Sequence, residues 1–498
     1  SYMADGYSRS TGRIGTCMVV PGPGLLNALA GVSTAFACSS RVLCISGQIP
    51  SNAIGRGLGL LHEIPDQSNI LRSLTKWSAC AEHPAQVPGL VHEAVRQLRS
   101  GRPRPVGLEI PPDVLQATAE DIALLEPVAH DEPLVPDADL LNQAARLLAS
   151  AERPVIYAGG GVVAGNASQP LRALAELLQC PVIMSANGRG ALDDRHPLAL
   201  TWLAGRAALA EADLVLGVGS RFLSGQEQLT FAPGARCILL NAEPNDLGEP
   251  RRPEVAVLSD AALGLAGLRD ELAGLSPNGR RRVWLDLDHV RRWAEELMSQ
   301  IQPQYSWVRS LRAALPEDGV LVNEFTQVGY MSQAAFPVYH PRTYLSPGYQ
   351  GTLGYGFPTA LGARVGNPDK PVLSISGDGG FGWALPELST ARKFGIGLVT
   401  VVFNDQAYGN VRRAQAEQFG GRIFGSELLN PDFVELAESF GVRGARATTP
   451  GELEGLLRET LGANAEPVLI DVPVGVMPQP FRHLRESPVP KVRAAPLG

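Results

Sequence analysis

The sequence predicts an α/β protein of three doubly wound parallel-sheet domains. Three observations carry that expectation. Short apolar runs rich in β-branched residues recur along the chain, as strands buried on both faces do. Stretches of helical periodicity separate them, so that strand and helix alternate. The length of 498 residues calls for two to four cores rather than one.

The first domain is expected over residues 1–125. It contains a strand Thr16–Val20, the turn Pro21-Gly22-Pro23-Gly24, a helix from Leu25, and strands Val42–Ser46 and Pro105–Ile110. Ser1–Tyr7 reads like the middle of a helix, so residues upstream of Ser1 are expected. A linker rich in proline and acids spans Leu124–Val135. The second domain, 136–277, opens with a helix Ala138–Ser150. Strands follow at Pro154–Ala158, Pro181–Ser185, Asp213–Val218 and Cys237–Asn241. The charged stretch Asn278–Arg292 reads as a second, partly helical connection. The third domain covers 300–477, and residues 478–498, rich in Pro and Arg, read as an extended tail.

Composition excludes several classes of function. A net charge of −7 without basic clusters gives no reason to expect nucleic acid or an anionic membrane as a partner. No apolar run approaches the roughly 20 residues that span a bilayer. The six cysteines include no Cys-x-x-Cys pair, which argues against zinc; most read as buried thiols of a reduced, cytoplasmic protein.

The chemistry concentrates between Pro371 and Gly409. Two apolar runs, one ending in Gly377-Asp378-Gly379-Gly380 and one in Asn404-Asp405-Gln406-Ala407-Tyr408-Gly409, flank a segment in which Leu385, Leu388, Ala391 and Phe394 recur at helical spacing. That is a β-α-β unit, whose right-handed crossover makes its strands parallel. Asp378 and Asp405 then lie just past carboxyl ends of strands, where open α/β sheets bind ligands. Gly-Asp-Gly alone is equally a turn whose Asp caps the next helix. Two oxygen-bearing side chains on one rim beside a glycine turn suit a hard cation holding a phosphate.

The pattern resembles the thiamine diphosphate motif, a Gly-Asp-Gly followed at a fixed interval by Asn-Asn. The resemblance implies Asp378, Asp405 and the Ala407 carbonyl as ligands of Mg2+. Asp405 departs from the usual Asn, and Asn404 is the substitute if it fails. The resemblance covers essentially the whole chain, in the order pyrimidine-binding, central and diphosphate-binding domain. Tyr2–Gly12 is similar to the Ala-x-Gly-Tyr-Ala-Arg-x-x-Gly helix of the pyrimidine domain. Pro21–Asn27 is similar to its Ser-Gly-Pro-Gly-x-x-Asn loop, which implies that Pro23 and Asn27 meet the aminopyrimidine. Ser46–Pro50 resembles Thr-Gly-Gln-Val-Pro, placing Gln48 near cofactor and substrate. In the third domain Gly351–Pro358 is similar to Gly-Thr-Met-Gly-Phe-Gly-Leu-Pro. This implies that the Gly351 carbonyl holds the 4′-amino group and that Leu353 is the wedge bending the cofactor. Read without the resemblance, those glycines serve strand–helix packing and Leu353 belongs to the core. Gly379 and Gly380 are implied donors to the diphosphate, with Tyr408, Gly409, Thr326 and Gln327 beside it.

Among subfamilies the acetolactate synthases match best, through Ala53–Gly55, Thr75–Trp77 and Ser100–Pro105. Such enzymes need a Glu that activates the cofactor. The first Glu here is Glu63, so that residue is expected upstream of Ser1. His62 is either a proton relay for carbonyl intermediates or a solvated loop residue. Phe381, Trp383 and Leu385 either wall the substrate pocket or belong to the core. Gly217–Phe222 resembles a segment that binds FAD in acetolactate synthases, whereas Asn241 and Glu243 replace the acids usual after the next strand. The implied activity is decarboxylation of a 2-oxo acid with carboligation. The alternatives are another C–C lyase, a decarboxylase, an oxidase or a dione hydrolase, with a non-catalytic scaffold opposed by the two acids. The implied assembly is a homodimer or homotetramer with shared active sites.

Overall fold

The structure is a computed structural model. It describes residues 1–120, 122, 124–128, 133–222, 230–248, 252–275, 279, 282–461 and 466–491. Parts of the expected linker, of the Asn278–Arg292 connection and of the tail therefore lie outside the described residues.

Three sheets form, and every strand pairing in them is parallel. The first holds β1 (Gly15–Val19), β2 (Val42–Gly47), β3 (Trp77–Cys80) and β4 (Val106–Ile110), in the order β1-β2-β4-β3. The second holds β5 (Pro154–Ala158), β6 (Val182–Met184), β7 (Ala199–Leu200), β8 (Leu214–Val218), β9 (Arg236–Asn241) and β10 (Val255–Leu258), in the order β10-β9-β8-β5-β6-β7. The third holds β11 (Val320–Asn323), β12 (Tyr344–Leu345), β13 (Val372–Gly377), β14 (Val399–Asn404), β15 (Arg443–Arg446) and β16 (Val468–Pro473), in the order β12-β11-β13-β14-β16-β15.

Both faces of these sheets are covered, which is what doubly wound means physically. Along β5, Val155 and Tyr157 pack into one apolar cluster while Ile156 and Ala158 pack into another. Along β11, Leu321 faces one cluster and Val320 and Val322 the other. Strands buried on both faces read as continuous apolar runs, and this is why they were legible.

The domains are not independent beads. The helix Tyr2–Thr11 lies against the helix Gly356–Gly366 of the third domain. A Cβ at Gly6 would overlap the Thr359 carbonyl, and one at Gly362 the Met3 carbonyl, so glycine alone permits this backbone approach. Two expectations are corrected. The tail is not simply extended: Pro480–Glu486 is helical, with Arg206 donating to the Leu484 and Ser487 carbonyls and Phe481 packed on Trp202. Phe394 lies outside the core, 67% exposed, because the helix Leu388–Lys393 ends one residue before it; Leu388 and Ala391 are buried.

Candidate functional site

In the third sheet the chain runs from β11 outward to β12, then crosses back to β13 on the other side of β11. The strand order reverses between β11 and β13, and the crevice beyond their carboxyl ends is where such sheets bind ligands. The β13–β14 register pairs Gly377 with Phe403, so the two strands end nearly level. Asp378 and Asp405 consequently share one rim.

The electrostatics of that rim are unfavourable without a cation. Burial pushes the Asp378 carboxyl above the usual range, opposed by Asn430 and backbone N–H groups. Burial, then the neighbouring Asp378, pushes Asp405 up to about 6, with Arg412 opposing. The Arg412 guanidinium lies 3.6 Å from Asp405 Oδ2. Asp378 itself accepts from Asn430 Nδ2 at 2.6 Å. Two carboxylates forced together at the mouth of a crevice are a donor set suited to a hard divalent ion. Asn404 is engaged on both sides: its Oδ1 accepts from Asn430 and its Nδ2 donates to Asp471. Ala407 is buried and bridges to Glu427, which fixes the loop after β14.

Asn430, absent from the sequence reading, ties Asp378 to Asn404. Its replacement by Ala should weaken metal binding by about 10–100-fold, the usual cost of losing an outer partner of a ligand. Calorimetric titration with Mg2+ checks this.

The glycine turn packs tightly. Gly379 leaves room for the Tyr408 ring, and Gly409 lets its helix start against Asp405. Thr326 precedes the helix Gln327–Ala335 and lies beside Gly377. Gln327 is half-buried, and its Oε1, itself buried, lacks a hydrogen-bond partner among the described residues. Reversed, that amide turns an NH2 donor to the same place. Phe381 is core, wholly buried and packed against Phe357 and Phe433 at ring distances of 5.4 and 5.8 Å. Trp383 is 68% exposed, and Leu385 is half-buried.

The first domain presents its own set. Gln48 is buried and donates to Glu109 Oε1 at 3.1 Å. Gln67 donates to the same oxygen at 2.7 Å, accepts from the Gly22 N–H, and so links Gln48 to the Pro21–Gly24 turn. His62 is half-buried with a positive φ of 69°, and its carbonyl fills the space that a Gly22 side chain would take. Pro23 and Asn27 are exposed, as is Leu353. On the helix that carries Asn27, Thr34 bonds Thr352 at 2.8 Å. Asn27 lies seven positions earlier, about 10 Å along the axis.

Among the buried acids that escaped the sequence reading are Glu109 and Glu324, 1% and 2% exposed. A signal existed for each: Glu109 interrupts an apolar strand and Glu324 directly follows one, where an acid is rarely buried without a task.

A cleft of about 920 Å3 lies where the three domains meet, lined by Arg102, Gly160, Gly219, Arg221, Asn241 and Tyr349 among others. The Arg221 guanidinium stacks over Tyr349 at 4.9 Å. Glu243 faces Arg104 at 3.7 Å and caps the turn at Asn245.

Three parallel sheets, a switch-point crevice and a two-carboxylate rim define a cofactor-dependent α/β enzyme. Known proteins identify which. Residues 1–70, 141–268 and 325–472 match the N-terminal TPP binding, central and C-terminal TPP binding domains of thiamine pyrophosphate enzymes. The chain belongs to that family. It is 33% identical to a probable acetolactate synthase large subunit of Methanocaldococcus jannaschii, over 95% of this chain and 83% of the relative. It is 35% identical to a probable 2-ketoarginine decarboxylase of Pseudomonas aeruginosa, over 93% and 83%. The mitochondrial acetolactate synthase catalytic subunit of Saccharomyces cerevisiae is 30% identical over 95% and 73%. The protein is thus a thiamine-diphosphate-dependent enzyme of the carboligase or decarboxylase type. Among the described residues no helix is long and apolar enough to cross a membrane.

Proposed function

We propose that the protein uses Mg2+ and thiamine diphosphate to decarboxylate a 2-oxo acid and to join the remaining fragment to a second carbonyl compound, as an acetolactate synthase does. The observation that carries the metal-diphosphate part is the pair of mutually repelling carboxylates on one rim, Asp378 buried and Asp405 half-buried. With the Ala407 carbonyl they would hold the ion, and Gly379 and Gly380 would offer backbone N–H groups to the diphosphate. Thr326, Gln327, Tyr408 and Gly409 would border it. When bound, thiamine diphosphate supplies the carbon nucleophile and the electron sink. The chain supplies orientation: Gly351 its carbonyl for the 4′-amino group, Leu353 an apolar support, and Pro23 and Asn27 contacts to the pyrimidine.

The exposure of Pro23, Asn27 and Leu353 supports a homodimer, or a homotetramer built from it. Each site would then join one subunit's Pro23, Asn27, Gln48 and His62 to the partner's third domain. Gln48, held by Glu109, would meet the substrate, and His62 would move protons at its carbonyl oxygen. The cleft lined by Arg221 and Asn241 has the size for FAD, with Arg221 for a phosphate; Glu243, engaged with Arg104, is not free to take a ribose.

A second reading, simple decarboxylation, is favoured by the similarity to the 2-ketoarginine decarboxylase. Incubation with pyruvate separates the two. Acetolactate and carbon dioxide are expected. Acetaldehyde alone, or turnover of 2-ketoarginine but not pyruvate, would replace carboligation with decarboxylation.

A further inference from the structure

Glu324 is a buried acid that the chemistry above does not use. It stands directly after β11, at the point where the strand order reverses. Its Oε1 accepts from the Gly354 N–H at 2.8 Å and its Oε2 from the Gly356 N–H at 3.4 Å. On its other side a Cβ at Gly380 would overlap Oε1, and one at Gly356 would come within 2.9 Å of Oε2. One carboxyl group therefore fills the space between two loops, the Gly351–Gly356 turn and the Gly377–Gly380 turn. Among the described residues no Lys or Arg bonds to it, and burial pushes its titration upward, opposed by the Ser376 hydroxyl and the N–H groups of Gly354, Gly356 and Tyr355. Such a group costs several kcal/mol to bury, less what these donors return.

The Gly351–Gly356 turn needs an anchor of this kind. Gly351 and Gly354 both adopt positive φ, 60° and 76°. Leu353 projects into solvent, 47% exposed, while Tyr355 at the far end of the turn is wholly buried. Besides Glu324, side chains hold this turn at Thr352, bonded by Thr34 at 2.8 Å, and at the Tyr355 hydroxyl, which accepts from Arg9 at 2.7 Å; neither reaches Gly351, Leu353 or Gly354.

We propose that Glu324 is a positioning residue: it sets the height and tilt of the Gly351–Leu353 turn relative to the Gly377–Gly380 turn, and thereby the geometry in which a cofactor anchored at one meets the other. The inference rests on the reading of these turns as the two ends of a thiamine diphosphate site. It assigns Glu324 no contact with the cofactor. Its predicted signature is a selective one, because the metal-diphosphate end has its own supports in Asp378, Asp405 and Asn430.

The test is Glu324→Gln, which keeps shape and one acceptor but turns an NH2 toward the Gly356 N–H. Three quantities are read on the full chain: affinity for Mg2+ with inorganic diphosphate, affinity for Mg2+ with thiamine diphosphate, and the kcat and KM for pyruvate. Diphosphate affinity should match wild type. Thiamine diphosphate affinity should fall about tenfold or more, the worth of one misplaced buried hydrogen bond. The kcat should fall while KM holds. Equal loss of diphosphate and thiamine diphosphate binding would show a merely structural role and overturn the proposal, as would wild-type behaviour in all three. Should Glu324→Gln fail to unfold cooperatively, Glu324→Asp, which draws the carboxyl back by one methylene, is read against the same criteria. A wild-type protein that binds diphosphate but not thiamine diphosphate would overturn the site reading itself.

Discussion

Replacement of Asp378 by Ala is expected to abolish retention of Mg2+ and thiamine diphosphate, weakening metal affinity by more than about a hundredfold, beyond the cost of losing an outer-shell partner. The same change should not unfold the metal-free protein. Asp378 contributes to the raised titration of Asp405, so its removal relieves a repulsion between a buried and a half-buried carboxyl. The expected result is therefore an unusual pair: catalysis gone, and metal-free stability equal to wild type or higher at neutral pH. Urea unfolding and metal titration of the same preparation check both halves. Loss of stability together with activity would mean that Asp378 serves the turn rather than a metal. Asp405→Ala should behave alike, with the added effect of freeing Arg412.

The second large effect is on pH. Asp405 titrates at about 6 in the fold, and Asp378 is raised as well. Between the ordinary carboxylate pKa of about 4 and about 6, the folded metal-free protein holds protons that the unfolded chain has released. Its stability contribution from this pair is complete below about pH 4 and is lost as pH rises through about 6. Metal binding has the opposite slope, because the ion displaces those protons. Mg2+ affinity should fall about tenfold per pH unit below about 6 for each proton displaced, and level off above it. Thermal unfolding with and without Mg2+ at about pH 5 and about pH 7 reads both trends. The two curves should be close at the lower pH and well separated at the higher one. A gap independent of pH would separate the metal from these carboxylates.

Much of the fold was legible because parallel strands buried on both faces leave an unmistakable trace. The helix Ala138–Ser150 and the strand Pro154–Ala158 emerge with the bounds their patterns predict. Trp77–Cys80, Ala199–Leu200 and Val255–Leu258 escaped; all three are short edge strands, with too few residues to establish a period. The tail helix escaped because proline and arginine composition suggests an extended chain, whereas its stability comes from Arg206 and Trp202, far off in sequence.

The site divides in the same way. Asp378 and Asp405 could be placed from sequence because strand ends and glycine turns are local features. Asn430 could not, since it reaches the rim from a segment with no pattern of its own. Glu324 and Glu109 carried a readable anomaly, an acid at the edge of an apolar run, but its meaning depends on glycines and amides supplied by other elements. Phe381 shows what sequence leaves open: adjacency to the Gly-Asp-Gly turn allowed a pocket wall or the core, and packing with Phe357 and Phe433 assigns it to the core.

The central claim is that the Asp378–Asp405 rim holds thiamine diphosphate through a divalent ion. Equilibrium titration of the metal-stripped protein with thiamine diphosphate, with and without Mg2+, tests it most directly. Saturable binding that appears only with Mg2+ and disappears in the Asp378→Ala variant is the result the account predicts. Binding of equal strength without the metal, or undiminished in that variant, would contradict it.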